Sequence, residues 1–244
     1  MMRLTSVLTW VFAIAFSVGA ARAASPCAVP VDLALRDLAL PAAKQSVVTS
    51  HRLVILTLGG AHTAGIAAGD PNATYPARLQ VELTNALPGV AVSVVNNAKP
   101  DNTVGAVVPT IPVLIAKLGA KLVIWAPGGR DAVRRPNLNE FFTELEAGIA
   151  AVRQSGSDLI LLDMQYVPLL EQWSRIEDYR DLLRGIASAN DVPLVPRHEL
   201  MRVWSDDGTL DLGATDNGVQ IEVTKKLFSC MARVLADPIA EAVR

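Results

Sequence analysis

Five stretches of the chain are apolar on successive residues. They are Arg52–Leu58 (RLVILTL), Val90–Val95 (VAVSVV), Lys121–Ala126 (KLVIWA), Asp158–Asp163 (DLILLD) and the short Val192–Val195. A strand that is apolar on both faces fits a parallel sheet covered by helices on each side. Between these runs the period changes. Tyr75–Leu87 places Leu79, Leu83 and Leu87 four residues apart. Val107–Leu118 is apolar, with Pro109 and Pro112 predicting an irregular start. Asn139–Gln154 carries Phe142, Leu145, Ile149 and Val152 on one stripe, and Arg175–Ala189 and Glu222–Leu235 follow. This alternation predicts an α/β fold with a single doubly wound parallel sheet and right-handed crossovers. Ligands of such sheets sit beyond the carboxyl ends of the strands. The loops to search therefore start at Gly59, Asn96, Pro127, Met164 and Pro196.

The first residues read differently. Arg3, the apolar Val7–Phe16 and the Ala21-Arg22-Ala23 site form a secretory signal, so residues 1–23 are expected to be cleaved. The apolar run is too short to span a bilayer, and no later segment looks membrane-spanning. Residues 24–50 form a Pro-containing lead-in, and 51–244 the folded domain. The expected location is periplasmic or secreted. Cys27 and Cys230 stand near opposite ends of the processed chain, and an even pair in an oxidising compartment predicts one disulfide.

Composition narrows the function. The 244 residues are 51% hydrophobic and 19% charged, enough for a packed core. The net charge is −2, and cleavage would remove two arginines and no acid. That balance argues against nucleic acid as a partner. Two cysteines and three histidines leave little for a metal site, and no cofactor is implied. A set of His62, Asp131, Asp216 and Glu222 has no metal-ligand spacing.

The strand-end loops read Gly59-Gly60-Ala61-His62-Thr63-Ala64-Gly65, Asn96-Asn97-Ala98-Lys99, Gly128-Gly129-Arg130-Asp131 and Thr215-Asp216-Asn217-Gly218-Val219-Gln220. Their order, with YPARLQVELTNALPGVAVSVVN, DMQYVPLL and VPLVPRHELMRVW between them, resembles the SGNH (GDSL-type) hydrolase superfamily and in particular its exported bacterial members. The resemblance runs from about Arg52 to Leu235. It implies a flavodoxin-like, three-layer α/β/α fold and a strand-end pocket for ester hydrolysis.

The active positions depart from that pattern. Ala61 stands where the resemblance expects the nucleophilic serine, and Gly60 where it expects aspartate. Ala98 replaces the oxyanion-hole glycine but keeps its backbone N–H. Arg130 replaces the oxyanion asparagine. Asp216 matches the aspartate that supports the base, and Gln220, or Glu222 if the local alignment carries an insertion, falls at the histidine. A methyl group cannot attack a carbonyl, and glutamine has no pKa suited to general base work. The resemblance therefore implies a catalytically impaired member that binds a small acyl, acetylated-sugar or anionic ligand, or an envelope partner. An esterase or acetyl-carbohydrate hydrolase working through non-standard residues is the alternative. The ligand candidates are Gly60, His62, Ala98, Arg130 and Asp131.

Each candidate has a bland reading. His62 could be an ordinary turn residue and Thr63 a helix cap. His198 reads as a surface or helix-start residue, and His51 precedes the first strand, at the wrong end of the sheet. Arg130 either anchors an anion or pairs with Asp131 and Asp216 and closes the pocket. Lys99, Arg134 and Arg135 extend a basic edge that could be plain solvated loop. Tyr166 and Trp173 either stack on a ligand or pack in the core.

Overall fold

The computed structural model describes residues 27–134, 137–168 and 176–244. The expected signal segment, Arg135 and Trp173 lie outside the described residues.

All five apolar runs become strands: β1 Arg52–Gly59, β2 Ala91–Asn96, β3 Leu122–Ala126, β4 Asp158–Leu162 and β5 Leu194–Val195. They pair in parallel, in the order β2-β1-β3-β4-β5. The period-2 geometry of a strand sorts their side chains into two cores. Leu53, Ile55, Leu122, Ile124, Ile160 and Leu162 face one layer. Val54, Leu56, Leu58, Val123, Trp125, Leu159 and Leu161 face the other.

The first layer contains α1 (Pro41–Ser50), α3 (Tyr75–Ala86), α9 (Arg197–Asp206) and α10 (Asn217–Val243). The second contains α4 (Val104–Val107), α5 (Ile111–Leu118), α7 (Leu138–Gln154) and α8 (Ile176–Ala189). Two short helices, α2 (Ala61–Ala64) and α6 (Gly129–Arg134), follow directly on β1 and β3. Strand β2 is an edge and only partly buried, and Gln80 of α3 covers it by accepting the Val94 N–H at 2.8 Å.

Several expectations need correction. The lead-in contains helix α1, whose Ala43 and Val47 are buried. The carboxylate of Asp158 caps α1 by accepting the Ala42 and Ala43 N–H groups. The helix over Val107–Leu118 has the irregular start its prolines predict: α4 ends at Val107, a tight 108–110 turn holds Pro109, and α5 opens with Pro112 in its first turn. In α7 the buried aromatic is Phe141, while Phe142 is 44% exposed. Both positions fit the stripe through Leu145 and Ile149. Phe141 takes the core place because its ring meets Tyr179 edge-on at 5.1 Å. Gly148 lets the same helix lie on Trp125, whose ring would stand 2.4 Å from an added Cβ. Helix α9 fills a region expected as loop or helix start, and α10 runs from Asn217 to Val243, past the expected Glu222–Leu235 at both ends.

The expected disulfide forms. Cys27 and Cys230 are joined, both buried, with Cα atoms 5.5 Å apart. Trp204 Nε1–H donates to the Ala28 carbonyl at 2.8 Å and fixes the same stretch. Among the described residues no helix is long and apolar enough to cross a membrane.

Candidate functional site

The sheet order places a crossover switch between β1 and β3, since β2 lies to one side of β1 and β3 to the other. A cavity of about 200 Å³ opens there. The end of β1 supplies Gly59, Gly60, Ala61, His62 and Thr63. The loop after β2 supplies Pro100, Asn102 and Thr103. The end of β3 supplies Ala126 to Arg130 together with Val133. Met164, Gln165 and Val167 follow β4, and Arg197 follows β5. Val104, Val107 and Ile176 complete an apolar wall.

The β1 turn is held by its backbone. Gly59 needs to be glycine, because a Cβ there would lie 2.6 Å from Thr63 Oγ1 and 3.2 Å from the Ala126 carbonyl. Its own carbonyl accepts the Lys99 N–H at 3.2 Å and Asn102 Nδ2–H at 3.3 Å. Asn96 clamps the turn from β2. Its Nδ2–H donates to the Thr63 carbonyl at 2.9 Å, and its Oδ1 accepts from Thr57 Oγ1 and from the Ala98 N–H, each at 3.1 Å. This arrangement presents the Ala61 methyl, at the first position of α2, to the cavity.

The sequence candidates divide at this point. Gly60, Ala61, His62 and Arg130 line the cavity. Ala98 does not, and its N–H is engaged by Asn96, so the surviving amide expected of an oxyanion hole is already in use. Asp131 is also off the lining. It is buried and accepts the Val104 N–H at 3.1 Å, which anchors α4. Burial pushes its carboxyl up, with that amide opposing. Asp216 and Gln220 are exposed and away from the cavity. Asp216 caps α10 by accepting the Val219 N–H, and Gln220 Nε2–H donates to the Ala214 carbonyl. Glu222 pairs with Lys225.

Arg130 is not closed off by the acids expected for it. It pairs with Asp101 at 3.0 Å, at the rim, where Asp101 is 77% exposed. Neighbouring residues on a helix point about 100° apart, so Asp131 turns inward where Arg130 turns to the mouth. Lys99 and Arg134 are exposed and outside the lining. His198 stands at the start of α9, one of its two expected places, and is buried rather than on the surface, with its ring edge-on to Tyr166 at 5.2 Å. His51 is exposed and ends α1 in a left-handed conformation.

The residue that sequence reasoning missed is Arg197. It is 4% exposed, yet it lines the cavity. Its Nε–H donates to the Asp163 carbonyl at 2.8 Å, and Nη1 lies 3.3 Å from His62 Nδ1. A guanidinium has only donors, so Nδ1 accepts and the His62 proton sits on Nε2. The His62 ring meets Phe228 edge-on at 4.9 Å. Burial first, and then the Arg197 charge, hold the imidazole well below its ordinary pKa, so it is neutral at pH 7. Burial also draws Arg197 below its usual value, and a guanidinium still keeps its proton. Nearby Tyr75 is raised to about 12, mainly by burial.

Among the described residues Arg197 has no ion pair. The nearby Asp163 carboxylate is committed to Arg180 at 2.8 Å. Arg180 in turn holds Glu177 at 2.6 Å and also pairs with Glu199. The one available signal for Arg197 was its place directly after β5, at a strand's carboxyl end. Among the described residues no three His, Cys, Asp or Glu side chains gather to hold a metal ion.

Comparison with known proteins agrees with this architecture. Residues 26–244 match the model of the Non-GDSL lipase-like family. No curated protein matches in sequence. Among solved structures, TesA is 23% identical with a TM-score of 0.57, over 75% of this chain and 99% of its own. Esterase EstA from Pseudoalteromonas sp. is 15% identical with a TM-score of 0.55, over 75% and 99%. The acetyl xylan esterase AlAXEase is 13% identical with a TM-score of 0.58, over 72% and 98%. These likenesses carry the fold. The chain belongs to the Non-GDSL lipase-like family.

Proposed function

We propose that this protein is an exported, non-hydrolysing member of its family that uses the strand-end cavity to bind a small acyl, acetylated-sugar or anionic ligand. The observation that carries the reading is Ala61. The turn after β1, where the resemblance expects a nucleophile, offers the cavity a methyl group. The segment that resembles the base block begins α10 outside the cavity, with Gln220 bonded to its own loop.

The other described lining residues do not restore the chemistry. Among the described residues the lining hydroxyls are Thr63 and Thr103. Thr103 caps α4 by accepting the Ala106 N–H. Thr63 would need a base, and the adjacent imidazole is both depressed in pKa and turned by its acceptor nitrogen toward a guanidinium. Export rests on the signal-like first residues, and the Cys27–Cys230 disulfide fits an oxidising compartment.

The test is turnover of p-nitrophenyl acetate, p-nitrophenyl hexanoate and acetylated xylo-oligosaccharides by the purified protein. The expected rate is that of buffer alone. Enzyme-like turnover that is lost in Thr63→Val or His62→Asn would establish the hydrolase reading instead.

A further inference from the structure

We propose that the cavity is a carboxylate site, in which Arg197 holds the head of a short aliphatic carboxylic acid and the apolar wall takes its chain. This rests on the reading of the cavity as a binding site and names its ligand class.

The charge balance of the lining points to an anion. Among the described residues it contains two arginines and a histidine, and no aspartate or glutamate. The two arginines differ in state. Arg130 at the rim already has Asp101. Arg197 is buried and has no carboxylate of its own among the described residues. A cation taken out of water is costly unless an opposite charge accompanies it. Its bonds to the Asp163 carbonyl and to His62 satisfy N–H groups, and the nearest carboxylate, that of Asp163, offsets its charge only through space while ion-paired to Arg180. The cavity it lines is where a counter-charge can enter.

Shape and polarity set the class. A planar guanidinium suits the planar carboxylate, which it can meet with paired N–H groups. One arginine without an ion pair matches one negative charge, and among the described residues the lining offers no second free cation for a dianion. Val104, Val107, Met164, Val167 and Ile176 form a wall for hydrocarbon. About 200 Å³ is below the usual size of drug-like sites, so the chain is short. An ester of the same acid would bury a polar carbonyl and leave Arg197 without its counter-charge.

The test is calorimetric titration of the purified protein with hexanoate, methyl hexanoate and hexylammonium at pH 7. Hexanoate is expected to bind one per chain, at least about tenfold more tightly than its methyl ester, with no binding of the ammonium. Arg197→Met should abolish hexanoate binding. Arg197→Lys, which keeps the charge and loses the fork, should retain a weakened site. Arg130→Ala should weaken it less than Arg197→Lys does. The wild-type comparison of acid with ester needs no variant, so a misfolded mutant does not decide the matter. Equal binding of hexanoate and its ester, or no hexanoate binding up to about 10 mM, overturns the proposal even if no hydrolysis occurs. Turnover of the methyl ester counts against the non-hydrolysing reading, while the acid titration still decides the carboxylate site.

Discussion

Arg180 and Arg197 lie 17 residues apart, both nearly inaccessible to water, and Asp163 touches both. Their surroundings are opposite. Arg180 is ringed by Asp163, Glu177 and Glu199, and Arg184 links into the same cluster through Glu177 and Glu199. Arg197 donates to the Asp163 backbone carbonyl and to a neutral nitrogen of His62, and feels the Asp163 carboxylate only through space. A buried cation whose neighbours neutralise it is part of the scaffold. A buried cation at a cavity wall, with no ion pair of its own, is what the proposed carboxylate site rests on. The first arrangement also supports the second, since the Arg180–Asp163 pair fixes the end of β4 on which Arg197 leans.

The largest expected effect separates the two arginines. Arg180→Met leaves the buried Asp163 carboxylate without its ion pair and should cost about 3–5 kcal/mol of unfolding free energy, read by urea denaturation. Arg197→Met removes a lone buried charge and should stay within about 1 kcal/mol of wild type, because the lost hydrogen bonds and the relieved charge oppose each other. Equal losses would erase the distinction drawn between them.

Titration of His62 sharpens the comparison from the ligand side. Its folded pKa lies below its unfolded value, so the unfolded chain binds the proton first. The stability it contributes is complete above about pH 6.5 and falls as the pH drops below that. The slope attributable to this one group is at most about 1.4 kcal/mol per pH unit. Carboxyls raised by burial, such as Asp131 and Asp163, act in the opposite direction, so the measurement is a difference. The stability of His62→Asn subtracted from wild type, followed from pH 7 to pH 5, should show the loss. With Arg197→Met as the background, the difference should shrink, because one cause of the lowered pKa is gone.

The smallest effect belongs to the rim. The Arg130–Asp101 pair is largely solvated, and Arg130→Ala should cost less than about 1 kcal/mol in thermal unfolding. A larger loss would make Arg130 a structural closure of the pocket after all.

The sheet was legible because its strands are apolar on both faces, a pattern that few other elements share. The helices were legible where leucines repeat, as in Leu79, Leu83 and Leu87, all buried. The choice between Phe141 and Phe142 was not, since both fit the period and only the position of Tyr179 decides. Helix α9 was legible only as a possible helix start at His198, because the polar Arg197-His198-Glu199 hides the buried face of Leu200, Met201 and Trp204. In the site, the β1 turn could be read directly because local glycines fix it. Ala98 and Asp131 were misplaced because their roles depend on which backbone amide each one meets. Arg197 was missed because its meaning comes from His62, 135 residues earlier, and from the commitment of the Asp163 carboxylate elsewhere.

The most direct measurement is intact-mass analysis of the folded protein after incubation with an alkyl fluorophosphonate, which marks an activated hydroxyl nucleophile. The account predicts an unchanged mass beside Ala61. A stoichiometric adduct mapped to Thr63, or to any other hydroxyl on the cavity wall, would contradict it.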